Sequence, residues 1–524
     1  MARQTGAGGQ HGVDVCLHPA IRRASGALRH LSRSGTGGAG RAVERFPPGA
    51  GQRGRGGRVL RADLRDRHAH DDHHPCARRR SAPVLRLAAR QSWLRAALEF
   101  QQGPDRPRWH AGRYVRVAGA AALWLDHPAD RGAAGRGMSP SPGPQTKGPL
   151  FIGSEIYRGS TYGPRHPLRV PRVSTVIDLC RAMGWLPPER YLTSPRAKPE
   201  ALTIWHDRAY LDALQQAEAD GDLPDALKRR YNLGTLSNPI FPEVWRRPAT
   251  AAGASLLAGE LLSDGGVIYS PAGGTHHGMP DHANGFCYLN DPVLAILSLR
   301  RAGVRRIAYV DIDAHHCDGV EHAFHDDPDC LLISVHEAGR WPFTGAEADI
   351  GRGQVFNLPV PRGFNDSEMA LIRDRVILPA VAAVEPDAVV LQCGADAVTE
   401  DPLARLDLSN NAHWAVVAAL RPCAPRYLVL GGGGYNPWSV GRLWSGVWAT
   451  LNGVDIPDRL PGAAQVVLRA LDFPGHRLGK NPPDHWFGTL RDQPRPGPVR
   501  REVSALVARQ SARLRKDAAQ RAFS

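Results

Sequence analysis

Residues 306–319 read RIAYVDIDAHHCDG. The first half is short, aliphatic and nearly uncharged; the second half is crowded with Asp and His. Arg306 to Ile312 therefore reads as a buried strand that runs into a polar edge. Three further segments share the aliphatic character: CLLISV at 330–335, AVVLQ at 388–392 and YLVL at 427–430. Helical patterns lie between or beside them, at 291–302, 369–384, 411–420 and 439–451. The first has Asn290 as N-cap, Pro292 in its first turn and Gly303 just past its end. This alternation predicts an α/β fold, a mostly parallel central sheet with helices on both faces. In such folds chemistry sits outside the carboxyl ends of the strands. The residues that follow each strand are thus where a site is expected.

Asp311, Asp313 and His315 stand at i, i+2 and i+4. If the strand persists that far, they share one side of the sheet edge. Two carboxylates and an imidazole suit a hard-to-borderline metal ion. The competing reading is a capped strand-to-helix turn in which these groups satisfy loop amides. His316 and Asp318 close by favour the metal. After AVVLQ comes CGAD, and Asp396 offers a further anionic ligand, although an Asp in that place is often only a turn residue. Asp313, His315 and Asp396 would form a three-ligand site with room for water and substrate.

Residues 273–290, GGTHHGMPDHANGFCYLN, follow the apolar stretch 267–270 and carry the adjacent pair His276 and His277. Neutral imidazole can take a proton from activated water near pH 7, and a carboxylate behind each ring would fix its tautomer. Asp311 and Asp318 are the candidates for that support. GGGGYN at 431–436 lacks the Gly-Lys-Ser/Thr of a phosphate-binding loop. Its glycines would instead bring Tyr435 into the cleft, where a phenol can hydrogen-bond a developing oxyanion; a flexible turn with a packing Tyr is the alternative.

The chain has 524 residues with 66 Lys plus Arg against 51 Asp plus Glu, a net charge of +15. Residues 1–137 alone hold 25 Arg, no Lys and 10 acidic residues, so all of the excess lies there and the remainder is neutral. A nucleic-acid partner is therefore not expected of the patterned part. No 18-residue apolar run suggests a membrane span, and no signal peptide is visible. Eight Cys without a C-x-x-C pair fit a reduced, cytoplasmic protein. The first 149 residues read as an Arg/Gly-rich extension, either disordered or the product of a mis-assigned start with Met138 as the initiator. They include Gly- and Arg-rich stretches at 51–57 and 78–80, an apolar patch at 84–94, and a cluster of His68, His70, His73 and His74. No catalysis is expected there. Residues 150–490 form the expected catalytic domain, and 491–524 a basic, helical tail, read as a solvated helix.

Taken together, these motifs resemble the zinc-dependent histone deacetylase superfamily, which includes acetoin-utilisation-type deacetylases and acetylpolyamine amidohydrolases. The resemblance covers roughly 150–455. It rests on YGPRHPL at 162–168 with Arg172 beyond it, on 273–291, on 311–319, on 392–402 and on 431–435; GGGGYNPW leans toward the acetoin-utilisation branch. It implies an arginase/deacetylase-like fold and a metal-dependent amidohydrolase that removes acetyl or short acyl groups from acetyl-lysine or acetylpolyamines. It further implies zinc, with ferrous iron as the alternative, at Asp313, His315 and Asp396. His276 and His277 become general base and acid, with Asp311 and Asp318 behind them. Tyr435 polarises the acyl carbonyl, Gly285 and Phe286 line one channel wall, and Cys287 lies near the floor. A structural potassium ion is implied near Asp311, Asp313 and Ser334.

Three departures stand out. Cys317 replaces a frequent Gly and would crowd its loop. In LSNPIF at 236–241, Ser237 stands where many relatives carry an Asp that holds the substrate backbone, and a hydroxyl is the poorer acceptor for two amides. WPFTG at 341–345 is short, and either Trp341 or Phe343 could supply the second aromatic wall. Two rival readings are a binuclear-manganese ureohydrolase, which would need the Asp-x-Asp that GADAVTED lacks, and a non-catalytic acyl-ligand binder. The sequence leaves the oligomeric state open.

Overall fold

The computed structural model describes residues 125–126, 148–473 and 476–522, with 125–126 and 517–522 described by backbone only. These residues belong to one compact unit within 114–524. The histidine cluster at 68–74, the stretches at 51–57, 78–80 and 84–94, and Met138 lie outside the described residues.

The core is an eight-stranded, wholly parallel sheet. In chain order its strands are β1 (Leu150–Gly153), β2 (Tyr191–Thr193), β3 (Gly266–Ser270), β4 (Ile307–Asp311), β5 (Cys330–Glu337), β6 (Val355–Val360), β7 (Ala388–Gln392) and β8 (Arg426–Leu430). Their order across the sheet is β2-β1-β3-β8-β7-β4-β5-β6. The sequence reading finds β4, β5, β7 and β8 within a residue or two and misses β1, β2 and β6. The first two have four and three residues, and β6 carries Asn357 and Pro359 inside it.

Successive side chains leave a strand on opposite faces, and β4 shows the result. Ala308 and Val310 join one buried cluster, while Ile307 and Tyr309 join another. The first cluster packs α1 (Val173–Ala182) and later helices on one face. The second packs α2 (Arg246–Leu261), α3 (Asp291–Arg301) and α4 (Asp318–Phe324) on the other. Cys317, which stands where the resemblance has a frequent Gly, is 1 % exposed and packs in that second cluster.

Register places the site. Asp311 at the end of β4 pairs with Gln392 at the end of β7, Gln392 with Leu430 of β8, and Leu430 with Ser270 of β3. Four adjacent strands stop level, so four loops open onto one point of the sheet edge. Caps fix the helices that leave it: the Asn290 side chain accepts from Val293 N at 3.1 Å, and Asn436 from Trp438 N at 3.1 Å.

The expected solvated tail is corrected by the structure. Arg501–Ala522 is a helix, but Val503, Leu506, Val507 and Gln510 are buried against the body. Their spacing is i, i+3, i+4, i+7, a buried stripe, apolar at its first three positions, that the basic composition hides. Arg500 meets the buried Glu368 through its Nε and both carboxylate oxygens, and the Arg513 guanidinium lies 4.0 Å over the Phe356 ring.

Candidate active site

Strand β4 ends at Asp311, so the shared side expected for Asp311, Asp313 and His315 does not come from strand alternation. Two nested turns take its place. Asp311 Oδ1 accepts from Asp313 N at 2.9 Å, and Asp313 Oδ1 accepts from His315 N at 3.0 Å. Each carboxylate bends the chain over its own backbone, and this sends Asp311 away from Asp313 and His315.

Asp313, His315 and Asp396 converge. One ligand atom from each lies within 4.8 Å of the others, and all three residues are buried. His315 Nδ1 is 2.9 Å from Asp396 Oδ2 and 3.2 Å from Asp313 Oδ1. Backbone amides orient the carboxylates: Gly433 N donates to Asp313 Oδ2 at 2.7 Å and Ala314 N to Asp396 Oδ1 at 3.0 Å. A Cβ on Gly433 would collide with Asp396 and one on Gly394 with Asp313, so glycine is required at both positions.

The donor set fits a metal ion. Burial and the neighbouring Asp313 push Asp396 toward its neutral form. Burial also opposes ionisation of Asp313, but His276, His315 and the Gly433 amide together hold it well below the usual range. Burial lowers His315, yet its bonds to both carboxylates outweigh this and raise it to about 10. The cluster thus calls for positive charge between two buried carboxylates, and a metal ion that displaced the proton on His315 would supply it.

His276 and His277 lie beside this site, each with a carboxylate behind it. His276 Nδ1 is 2.8 Å from Asp311 Oδ2, and His277 Nδ1 is 2.6 Å from Asp318 Oδ1. The two Nε2 atoms face each other at 2.9 Å. Protons on both Nδ1 atoms leave two lone pairs opposed, so the pair holds one additional proton between them. Burial and the adjacent His276 lower His277 to about 4, against the pull of Asp318. Burial also acts against His276, but Asp311 and Asp313 prevail and raise it to about 9. One ring is charged and the other neutral near pH 7. Asp311 is anchored in turn by the Tyr309 hydroxyl at 2.7 Å.

Tyr435 lines the same cavity as His276, His277, Asp313 and His315. Its backbone N donates to the buried Asp401 Oδ2 at 2.7 Å. Burial and the charges of Asp396 and Asp313 raise the phenol well above its usual value, so it remains a donor. Gly285 and Phe286 form one wall, both with positive φ, +53° and +69°. Phe286 is held there because its N donates to Asn238 Oδ1 at 3.0 Å and its carbonyl accepts from the Tyr162 hydroxyl at 3.2 Å. The Trp341 ring packs beside Gly285, 4.6 Å from the ring of His277 and 6.3 Å from that of His315, whereas Phe343 is 46 % exposed. A Cβ on Gly285 would strike the Trp341 ring. Cys287 is buried and lines the cavity. Ser237 is half-buried beside the exposed Leu236, and its carbonyl lies 3.2 Å from His166 Nε2. Ser334, named for the potassium ion, pairs in register with Asp311, and its hydroxyl meets His336 Nδ1 at 2.9 Å.

Asn238, Asp401 and Arg247 were not found by sequence reasoning. Asn238 adjoins Ser237 and could have been noticed as a small amide before Pro239. Asp401 lies in the quoted GADAVTED segment without a spacing that marks it. Arg247 lies within α2 and offers no local signal.

Three comparisons bear on this geometry. Residues 166–451 match the family described as histone deacetylase domain. Acetoin utilization protein AcuC of Bacillus subtilis (strain 168) is 32 % identical over 327 residues, 60 % of this chain and 84 % of that protein. Histone deacetylase 8 of Xenopus tropicalis is 34 % identical over 302 residues, 56 % and 81 % of the two chains. The crystal structure of an HDAC homolog from Aquifex aeolicus superposes with a TM-score of 0.66 at 34 % identity, covering 70 % of this chain and 100 % of that one. With more than half of its length matched by the family and its parallel sheet shared with that homolog, the chain belongs to the histone deacetylase family.

Proposed function

We propose that the protein is a metal-dependent amidohydrolase that removes acetyl or short acyl groups from acylated amines such as acetyl-lysine or acetylpolyamines. The observation that carries this reading is the meeting, in one cavity, of three buried ligands, two carboxylate-backed imidazoles and a protonated phenol. Asp313, His315 and Asp396 would hold zinc or, in its place, ferrous iron. Such an ion would supply Lewis acidity there, toward the carbonyl and toward water.

The chain's own groups do the rest. Phe286 and Trp341 hold the aliphatic arm of the substrate and exclude water. The neutral ring of the histidine pair takes a proton from the attacking water at Nε2, and the charged ring delivers one to the leaving amine. Asp311 and Asp318 keep both Nδ1 protons in place. The Tyr435 phenol donates to the acyl oxygen as it gains charge. Ser237 receives the substrate's amides more weakly than a carboxylate would, which favours small acylated amines beside peptides. Potassium near Asp311 and Ser334 is a structural part of the same reading, as is a cytoplasmic location. Among the described residues no helix is long and apolar enough to cross a membrane.

The test is turnover of a fluorogenic acetyl-lysine peptide and, separately, of an acetylated polyamine by zinc- or iron-reconstituted protein. Hydrolysis of either that is lost on chelation and restored by metal supports the reading. No hydrolysis of any acylated amine would leave only a ligand-binding relative.

A further inference from the structure

The cavity extends beyond the groups named so far. The walls that include His277, His315 and Tyr435 also include Tyr157, Arg172 and Arg247. Arg247 is 9 % exposed; its guanidinium lies 5.1 Å over Tyr157 and 5.2 Å over Tyr162 and donates to the Ser160 carbonyl at 2.5 Å. Arg172 donates to the Gly432 carbonyl at 2.8 Å and lies 5.0 Å over Trp444. Neither guanidinium forms a salt bridge among the described residues.

The nearby acids are already engaged. Asp291 accepts from Ser255 Oγ, Gly274 N and Thr275 N, and Asp396 faces His315 and Ala314 N. Three buried polar atoms around the guanidiniums have no partner at all: Tyr157 Oη, Ser160 Oγ and Arg172 Nε. Two guanidiniums in one secluded cavity, with unused donors beside them and no carboxylate bonded to either among the described residues, suit an anion that completes them.

We propose that Arg172, Arg247 and the Tyr157 hydroxyl form a carboxylate subsite, and that the acyl chains this enzyme removes include short ones ending in a carboxylate. This rests on the amidohydrolase reading above and assigns its acyl specificity. Arg172 also donates to the carbonyl of Gly434, the residue before Tyr435, at 3.3 Å, and Tyr435, Arg172 and Arg247 line one cavity, so a chain extending inward from an acyl carbonyl held at Tyr435 would meet the guanidiniums. A planar guanidinium matches a carboxylate with paired, charge-assisted bonds. Water adds across the amide C–N bond, its oxygen going to the acyl carbon and a proton to the amine. The products are the free amine and a dicarboxylate, with no oxidant or further reactant consumed. Free carboxylate product has the same chemistry as the distal end of such a chain, and the test separates the two.

The metal-reconstituted protein is assayed on one peptide bearing acetyl-, butyryl- or succinyl-lysine. The expected result is a kcat/KM for succinyl-lysine about tenfold or more above that for butyryl-lysine. Arg247→Met is expected to bring that ratio to about one and Arg247→Lys to restore part of it. A ratio near one in the unaltered protein overturns the proposal, as does a ratio that survives Arg247→Met. If the ratio survives while acetate and succinate become weaker inhibitors, the guanidiniums hold only released product and the acyl assignment falls. Calorimetry of the unaltered protein with succinamate and its neutral counterpart succinamide needs neither turnover nor a variant. Preferential binding of succinamate is expected, and equal binding overturns the subsite. Failure to hydrolyse even acetyl-lysine, with succinamate still preferred, would sink the amidohydrolase reading and spare the subsite.

Discussion

At the residue scale, the site works through protons held at fixed atoms. The Tyr435 phenol remains protonated because burial and two nearby carboxylates oppose its ionisation. In the proposed reaction its contribution would therefore be a hydrogen bond to a developing oxyanion. Tyr435→Phe should fold and bind metal with unchanged stoichiometry while turnover drops about 10²–10³-fold, the usual cost of one lost oxyanion donor. Steady-state kinetics beside metal analysis checks this, and near-normal turnover would remove Tyr435 from the role. The histidine pair makes a second prediction. His276 is held up to about 9 by Asp311 and Asp313 against burial; in the proposed reaction its extra proton would go to the leaving amine, the reverse of the base role that the resemblance implies for it. A raised imidazole value means the charged form is present below it and lost as pH rises through it. Activity should therefore fall on the alkaline side. Asp311→Asn removes the largest charge that favours the proton, so the alkaline limb of the kcat/KM profile should move to lower pH. An unmoved limb would show that His276 does not set it. The placement of these residues in one cluster was legible because their segments follow strands. The turns that aim Asp311 at His276 rather than at the metal ligands were not, since hydrogen bonds from a side chain to its own loop leave no periodic trace.

At the scale of elements, strand β4 and helix α3 were readable from aliphatic runs and cap residues, whereas β1 and β2 were too short to carry a pattern. The most instructive case is the helix Arg501–Ala522. Its composition suggested solvent on all sides, but Val503, Leu506 and Val507 form a stripe that the body covers. Arg500 closes the junction on Glu368, which is fully buried and also accepts from Asn365 N at 3.1 Å. Burial works against the Glu368 carboxylate, but Arg500 and the Asn365 amide outweigh it and lower its value. A depressed carboxyl gives stability that is complete above its unfolded value, about 4.3, and lost as pH falls through the folded value. The helix should therefore undock first on acidification below about pH 4, seen as faster hydrogen exchange at 503–510 than in β4 and β7. Arg500→Met leaves a buried carboxylate unpaired and should lower stability by about 3 kcal/mol. Uniform exchange across the chain at low pH, or no loss in that variant, would detach the ion pair from the docking of this helix.

At the scale of the whole molecule, the α/β class and the place of the site were legible because strand–helix alternation and polar strand ends are local signals. The level endings of β3, β8, β7 and β4 were not, because register between distant strands is written in packing rather than in any one segment. That register brings Asp396 of one loop to Asp313 and His315 of another across 81 or more positions of chain. The three ligands thus bring together the loops that follow β4 and β7. Two carboxylates buried at 0–1 % exposure repel each other, and a cation between them turns repulsion into attraction. An ion that binds the folded chain and not the unfolded one stabilises it by RT ln(1 + [M]/Kd), about 4 kcal/mol at a thousandfold excess over Kd. Chelation should accordingly lower the melting temperature, and zinc should restore it. In Asp396→Ala one ligand and one buried charge are gone together, so the metal-free variant has less repulsion to bear. Its melting temperature should no longer respond to chelator or zinc, and calorimetric scans of both proteins with and without metal check this. A chelation response that persists undiminished in Asp396→Ala would place the stabilising ion somewhere other than among Asp313, His315 and Asp396.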